Sequence, residues 1–276
     1  MPRAGIQKHL DIAPLLRCPI CGSDLHARTA SVACAAGHDF AVSSKGFLTL
    51  MARPVTLKGY DEPFFESRRR VLDAGCYDAV RDALVEETAS FGPGSLVVDA
   101  GCGEGTYAKA VSRAHGCDVI GLDLARDGIR CAARGGGRER WLIADLAHIP
   151  LRDHVADAVL NVFTPANYAE FKRVLKPGGI LIKVVPAERH MVELRQLAAE
   201  HLAHAPFDDH GVAEHLARHM RIASRRHITQ TSPVCRQDAG DLIRMSPVAF
   251  DIAEDELDPD ALASITVDAE IIVARP

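Results

Sequence analysis

Leu96-Val97-Val98-Asp99-Ala100-Gly101-Cys102-Gly103-Glu104-Gly105 reads as a buried strand that runs into a glycine-rich turn and on into a helix. Gly101, Gly103 and Gly105 let the backbone approach a ligand closely, because no Cβ stands in the way. A strand, glycine turn and helix also open nicotinamide-binding domains, where the turn receives a pyrophosphate. Here the strand ends in Asp99, an acid that disfavours a pyrophosphate and can instead hold an amino group. The pattern predicts an α/β domain with a cleft beside this turn, and a ligand without phosphate.

Further βα units follow. Val119-Ile120-Gly121-Leu122-Asp123 is a second strand ending in an acid, suited to a two-point grip on ribose hydroxyls. Trp141-Leu142-Ile143-Ala144-Asp145 is a third, and Asp145 could accept from an adenine amino group. Residues 157–163 form a fourth. A helix over 168–175 then leads through Lys176-Pro177-Gly178-Gly179 into the apolar strand Ile180 to Val185, the crossover of an open parallel sheet. One strand-terminal acid is by default a cap or a surface residue; three in succession favour S-adenosylmethionine over a nicotinamide dinucleotide. Upstream, the spacing of Val71, Leu72, Tyr77, Val80, Leu84 and Val85 predicts a helix over 66–89. His227 to Thr231 and Ser264 to Ala274 read as the last two strands, with 238–246 helical between them.

The N-terminal part carries a different chemistry. Cys18-Pro19-Ile20-Cys21 is followed after twelve residues by Cys34, and then by His38. Three thiolates and an imidazole at this spacing suit tetrahedral Zn²⁺ with every position filled by protein, which makes the metal structural. A redox CxxC is the competing reading, but it leaves Cys34 and His38 without a role. A piece this short builds little core of its own, so the metal would supply most of its folding free energy. Gly46 to Leu50 is expected to pack as a strand against this ribbon, with a linker after it.

Composition sets limits on the rest. With 47% hydrophobic and 25% charged residues the chain is a folded protein, and no apolar run is long enough to span a membrane. The start leads into no signal-peptide core, so a cytosolic location is expected. Net charge is −5, which argues against a strongly basic nucleic-acid binder. Residues 1–70 nevertheless carry +4 and the remainder −9, so any polyanion contact should favour the N-terminal part. Ordinary surface scatter would give the same bias.

Taken together, these residues resemble the bacterial 23S ribosomal RNA guanine-N1 methyltransferases. The likeness covers nearly the whole chain. It rests on Cys18–Cys21–Cys34–His38, on Arg69 to Tyr77, on Asp99 to Gly105, on Leu175 to Gly179, on Arg189-His190-Met191-Val192-Glu193-Leu194, and on Met245-Ser246-Pro247. The glycine turn and Lys-Pro-Gly-Gly are common to many methyltransferases; the ribbon and the segments around Tyr77 and His190 are much more specific. The resemblance implies a Rossmann-like class I methyltransferase domain with a seven-stranded, mostly parallel sheet, divided as ribbon 1–53, linker 54–65 and methyltransferase domain 66–276. It implies adenosylmethionine contacts from Tyr77, Glu104, Gly105 and His190, beside the Asp99, Gly101, Gly103, Asp123 and Asp145 already named. Without it, Tyr77 would pass as a core aromatic and His190 as a polar residue near a helix start.

The expected partners are 23S rRNA or a precursor particle and, in a homodimer, a second copy; no membrane is expected. The role would be housekeeping or antibiotic resistance. RNA recognition would fall to the ribbon and to Arg68-Arg69-Arg70. Asn161 and Phe163 lie after the fourth strand, where they could bind and stack on the target base; Asn161 could equally cap the strand end. No residue stands out as the base that removes the guanine N1 proton. The histidines at 201, 204, 210, 215 and 219 read as surface or capping residues. A small-molecule methyltransferase that keeps the ribbon, or a non-catalytic RNA-binding relic, are the competing functions.

Overall fold

The computed structural model describes residues 4–53, 55, 57–201, 210–253 and 256–276. Helix α1 (Ala4–Leu10) precedes an antiparallel ribbon of β1 (His26–Ala27), β2 (Ser31–Ala33) and β3 (Asp39–Ala41), followed by β4 (Leu48–Leu50). Two helices come next, α2 (Glu62–Asp73) and α3 (Asp78–Glu87). The chain then runs through β5 (Leu96–Ala100), α4 (Thr106–His115), β6 (Asp118–Asp123), α5 (Arg126–Ala133), β7 (Arg140–Ala144), β8 (Ala156–Val162), α6 (Tyr168–Val174) and β9 (Leu175–Pro186). It closes with α7 (Val192–Leu197), α8 (His210–His219), β10 (Arg221–Pro233), α9 (Arg236–Arg244) and β11 (Ser264–Arg275).

One sheet in the order β10-β11-β9-β8-β5-β6-β7-β4 organises the molecule. Strands β4 to β9 pair parallel, while β11 and β10 return antiparallel at the far edge. All five residues of β5 are buried, as a central parallel strand covered on both faces requires. Val97, Leu160 and Trp141 belong to the core on one face; Val98, Leu142 and Phe171 belong to the core on the other. The carboxyl ends of β5, β6, β7 and β8 share one edge, where ligands bind in open parallel sheets. None of the described helices is long and apolar enough to cross a membrane.

The sheet has eight strands rather than the seven expected. The extra one is β4, which pairs Leu48 with Leu142 and Leu50 with Ala144. Leu48 and Leu50 are buried and Thr49 is exposed, so the strand covers an otherwise open edge of the sheet. It keeps one bridge to the ribbon, Val42 to Leu48, but its ladder belongs to the sheet. Just before β4 begins, His9 of α1 holds the same edge: its Nε2 accepts from the Trp141 N–H at 3.2 Å, and its Nδ1 lies 2.8 Å from the Gly5 carbonyl. Burial pushes His9 down to about 4, so the ring is neutral and able to do both. Lys8 donates to the carbonyls of Gly137 and Glu139 at 3.0 and 2.7 Å. The segment expected as a separate ribbon is thus stitched along the edge of the larger sheet.

Two other boundaries move. The helix expected over 66–89 is two helices that break at Gly75, whose φ of 86° is open to glycine and costly for other residues. Helix α2 begins four residues before the expected domain start, because the Asp61 side chain accepts from the Phe64 N–H at 3.0 Å and Pro63 fits the first turn. In β9 the Lys176–Gly179 turn forms an outward loop: Leu175 pairs with Ala156 and Ile180 already with Ala158.

Candidate functional site

The glycine turn is pinned at the end of β5 by the N–H groups of Gly101 and Cys102, which both donate to the Leu122 carbonyl at 2.8 and 3.1 Å. Two of its glycines are dictated by packing. A Cβ on Gly101 would fall 2.6 Å from the Thr164 side chain, and one on Gly105 would fall 2.4 Å from the Trp141 ring. Gly103 has more room; its nearest neighbours would be Phe65 at 3.4 Å and Arg68 Nε at 3.8 Å. The sequence pattern suggested three openings for a ligand. The structure leaves the widest at Gly103.

Around this turn the structure gathers charge. Asp99 is buried, and neither carboxylate oxygen has a hydrogen-bond partner among the described residues, although the Ala108 N–H approaches it. Burial raises it to about 7, and the neighbouring Glu104 and Asp123 push the same way. Asp123 accepts from the Gly103 N–H at 2.8 Å and from the Ala125 N–H at 2.7 Å, which ties the end of β6 to the turn. Burial raises Asp123 too, against the pull of those two bonds. Glu104 is buried and paired with Arg68 of α2, Nε to Oε2 at 2.8 Å. The buried hydroxyl of Tyr107 also lacks a partner among the described residues. Asp145 stands at the end of β7, its side chain accepting from the Ala147 N–H at 2.8 Å; no described contact joins it to Asp99 or Asp123.

A ring cluster closes the neighbouring side. Tyr77, at the break between α2 and α3, is buried, with its hydroxyl 3.8 Å from the Met191 sulfur. Its ring centre lies 6.0 Å from Phe163 and 6.1 Å from His190, and the latter two are 5.0 Å apart. Phe163 and Met191 both hold left-handed backbone, φ 53° and 52°. For residues with large side chains such conformations carry strain that the surroundings must offset, and they cluster at functional sites. Burial lowers His190 to about 4, so the ring is neutral. Its Nδ1 lies 3.0 Å from the Asp268 carbonyl and 3.3 Å from the Asp268 backbone nitrogen, so the backbone of β11 anchors the ring on that side.

Asn161 does not reach toward a target base. It is fully buried; Nδ2 donates to the Ala100 and Pro165 carbonyls at 3.2 and 3.1 Å, and Oδ1 accepts from Lys183 Nζ at 2.6 Å. Lys183 also donates to the Thr164 carbonyl at 3.3 Å, and burial lowers it to about 8. This pair ties β5, β8 and β9 to the Phe163–Pro165 loop. Reading the sequence missed Lys183; the available signal was a single lysine inside the apolar run Ile180 to Val185.

Within the arginine triplet only Arg68 is turned inward; the Arg69 and Arg70 side chains are 49% and 40% exposed. Arg68 pairs with Glu104, Arg70 grips Asp241 with two bonds of 2.6 Å, and Arg69 lies 3.7 Å from Asp73. Among the downstream histidines, His215 and His219 lie against Tyr168 at 5.3 and 5.6 Å between ring centres, and His201 lies 3.6 Å from Glu256. His204 and the side chain of His210 fall outside the described residues.

At the ribbon, Cys18, Cys21, Cys34 and His38 bring their ligand atoms within 4.8 Å of one another. Cys21 and Cys34 sulfurs are 3.8 Å apart, and His38 Nδ1 lies 3.5 and 3.4 Å from the sulfurs of Cys18 and Cys34. Zn–S bonds of about 2.3 Å and Zn–N bonds of about 2.0 Å in a tetrahedron give edges of about 3.8 and 3.5 Å. The donor set and its spacing fit zinc, and with four protein ligands the site is structural. The sheet-edge cleft fits S-adenosylmethionine equally well: it holds a partnerless buried carboxylate, Asp99, within the field of a largely buried arginine, Arg68, matching a molecule that carries an ammonium and a carboxylate on one carbon.

A family model for the methyltransferase domain matches residues 98–183, and a zinc-ribbon model described as RlmA, N-terminal, matches residues 16–59. A protein of Bacillus subtilis (strain 168), provisionally named 23S rRNA (guanine-N1)-methyltransferase YxjB, is 32% identical over 94% of this chain and 96% of its own. The 23S rRNA (guanine(748)-N1)-methyltransferase of Streptomyces fradiae is 29% identical over 96% of this chain and 98% of its own. A solved structure from work on thioacetal formation in echinomycin biosynthesis superposes with a TM-score of 0.50 at 20% identity, covering 71% of this chain and 80% of that one, a likeness of fold alone. Ribbon, cleft and full-length likeness agree, and the chain belongs to the 23S rRNA (guanine-N1)-methyltransferase family.

Proposed function

We propose that this protein methylates N1 of a guanine in a hairpin loop of 23S rRNA, with S-adenosylmethionine as donor. One observation carries the reading: a Cys₃His ribbon is built onto the edge of a glycine-turn methyltransferase sheet, in a chain matched end to end by relatives named for this reaction. The donor supplies a methyl carbon already activated by its sulfonium, so the protein's share is alignment and exclusion of water. Asp123 holds the ribose hydroxyls, Asp145 the adenine amino group, and Asp99 the α-ammonium. Gly101, Gly103, Glu104 and Gly105 form the floor. Tyr77 and His190 wall the reacting end, and a neutral His190 places no second cation beside the sulfonium.

Phe163 offers its ring as the surface on which the extruded base stacks. A loop base is reached by unstacking and aromatic contact rather than through a duplex groove. Asn161 and Lys183 fix the backbone that follows it, by donating to the Pro165 and Thr164 carbonyls. RNA outside the cleft meets the N-terminal part, where Ile20 at the tip of the zinc knuckle is half exposed next to Arg17. The site of action is then the cytoplasm, and protection of the ribosome from an antibiotic is read by drug susceptibility with and without the gene. Incubation with labelled donor and either 23S rRNA or a small-molecule extract tests the proposal. Label in the RNA is expected; label confined to a low-mass product contradicts it.

A further inference from the structure

We propose that Arg68 binds the α-carboxylate of the methyl donor through its two terminal guanidinium nitrogens while its Nε stays on Glu104. The inference rests on the donor assignment above and adds a binding residue to it. Arg68 comes from α2, outside the glycine turn, yet its Nε lies 2.8 Å from Glu104 and would lie 3.8 Å from a Cβ on Gly103, the roomiest point of the turn. The side chain is 19% exposed and its partner 1%, so the guanidinium is held inside the cleft.

Among the described residues only the Nε makes a hydrogen bond; the fork formed by the terminal nitrogens is unclaimed. A guanidinium presents five donors in a fixed plane, and its two-pronged end matches a carboxylate. An arginine needed only to neutralise Glu104 would leave that end without a task in a buried place. The charge of Arg68 acts on Asp99, Asp123, Tyr77, Tyr107 and His190 as well as on Glu104, so both the acids of the turn and the ring cluster feel it. Asp99 and Arg68 then offer opposite charges for the ammonium and the carboxylate of one α-carbon. Arg69, half exposed on the same helix, remains the more accessible residue for an RNA phosphate.

Calorimetry separates the possibilities using two probes: S-adenosylhomocysteine, and S-adenosyl-3-thiopropylamine, the same molecule without its carboxylate. Wild-type protein is expected to prefer the first by about 10- to 100-fold, the worth of a charge-assisted pair. Arg68→Met is expected to lose that preference, with the affinity for the decarboxylated probe little changed. Since Arg68→Met leaves Glu104 buried without its cation, Arg68→Met/Glu104→Gln is the second variant. The preference is a ratio between two ligands, so it is insensitive to a general loss of affinity. A preference that survives in either variant, or that is missing from wild type, overturns the assignment of Arg68. Wild type that binds neither probe overturns instead the donor assignment on which it rests.

Discussion

Asp99 is the residue whose chemistry reaches furthest. Its burial holds the carboxyl near 7, whereas pairing with the donor's ammonium needs the ionised form. Below about pH 7 a proton must leave on binding, so donor affinity should fall about tenfold per pH unit as pH decreases, and level off above 7. Calorimetry across pH 5.5–8.5 measures this; Asp99→Asn should bind weakly with no slope, and a slope that persists would place the titrating group elsewhere. Asp123→Ala should cost about 1.5–3 kcal/mol of donor binding, the worth of bonds to a charged group, read in the same titration. Lys183 gives a stability signal at higher pH. Its folded-state value, about 8 against the usual 10.5, means the unfolded chain holds the proton more tightly, so stability should rise between pH 8 and 10.5, by up to about 3 kcal/mol. Lys183→Met should flatten that rise in chemical denaturation; an unchanged profile would show the amine is not the source.

Among the elements, the strand-to-helix turn was legible because its glycines and acids lie together in sequence. The reason for two of the glycines was not, because Thr164 and Trp141 arrive from 63 and 36 residues downstream along the chain. Gly105→Ala combines a positive φ with a 2.4 Å approach to a buried ring and should cost several kcal/mol, with Trp141 fluorescence reporting the disturbance. A mild effect would mean that the turn relaxes easily. Ring partners such as Tyr77 and His190 carried no sequence signal beyond the family likeness, because they meet across 113 residues. Nor did the pattern Leu48-Thr49-Leu50 say whether it would pair with the ribbon or with β7. Alternation marks a strand; its partner is chosen by the open edge.

For the whole molecule, the ribbon and the sheet should melt together. His9, Lys8 and β4 join the zinc-bearing segment to β7, so loss of the metal unpins an edge of the main sheet as well as a small hairpin. Chelation of zinc, or Cys21→Ser, should therefore lower the midpoint of the main thermal transition, measured calorimetrically on the full chain. Two separate transitions with the larger unmoved would show that the parts are independent. This coupling was hidden from a sequence reading that cut the chain at residue 53, since composition changes there while contacts do not.

The central claim is that the carboxylate-lined cleft and the zinc-knitted segment together methylate N1 of a ribosomal guanine. Nucleoside mapping of 23S rRNA from cells with and without the gene tests it most directly. One 1-methylguanosine in a hairpin loop is expected, present with the gene, absent without it, and reduced with Asp123→Ala. Identical modification maps from both strains, or a gene-dependent methyl group on another base, would contradict it.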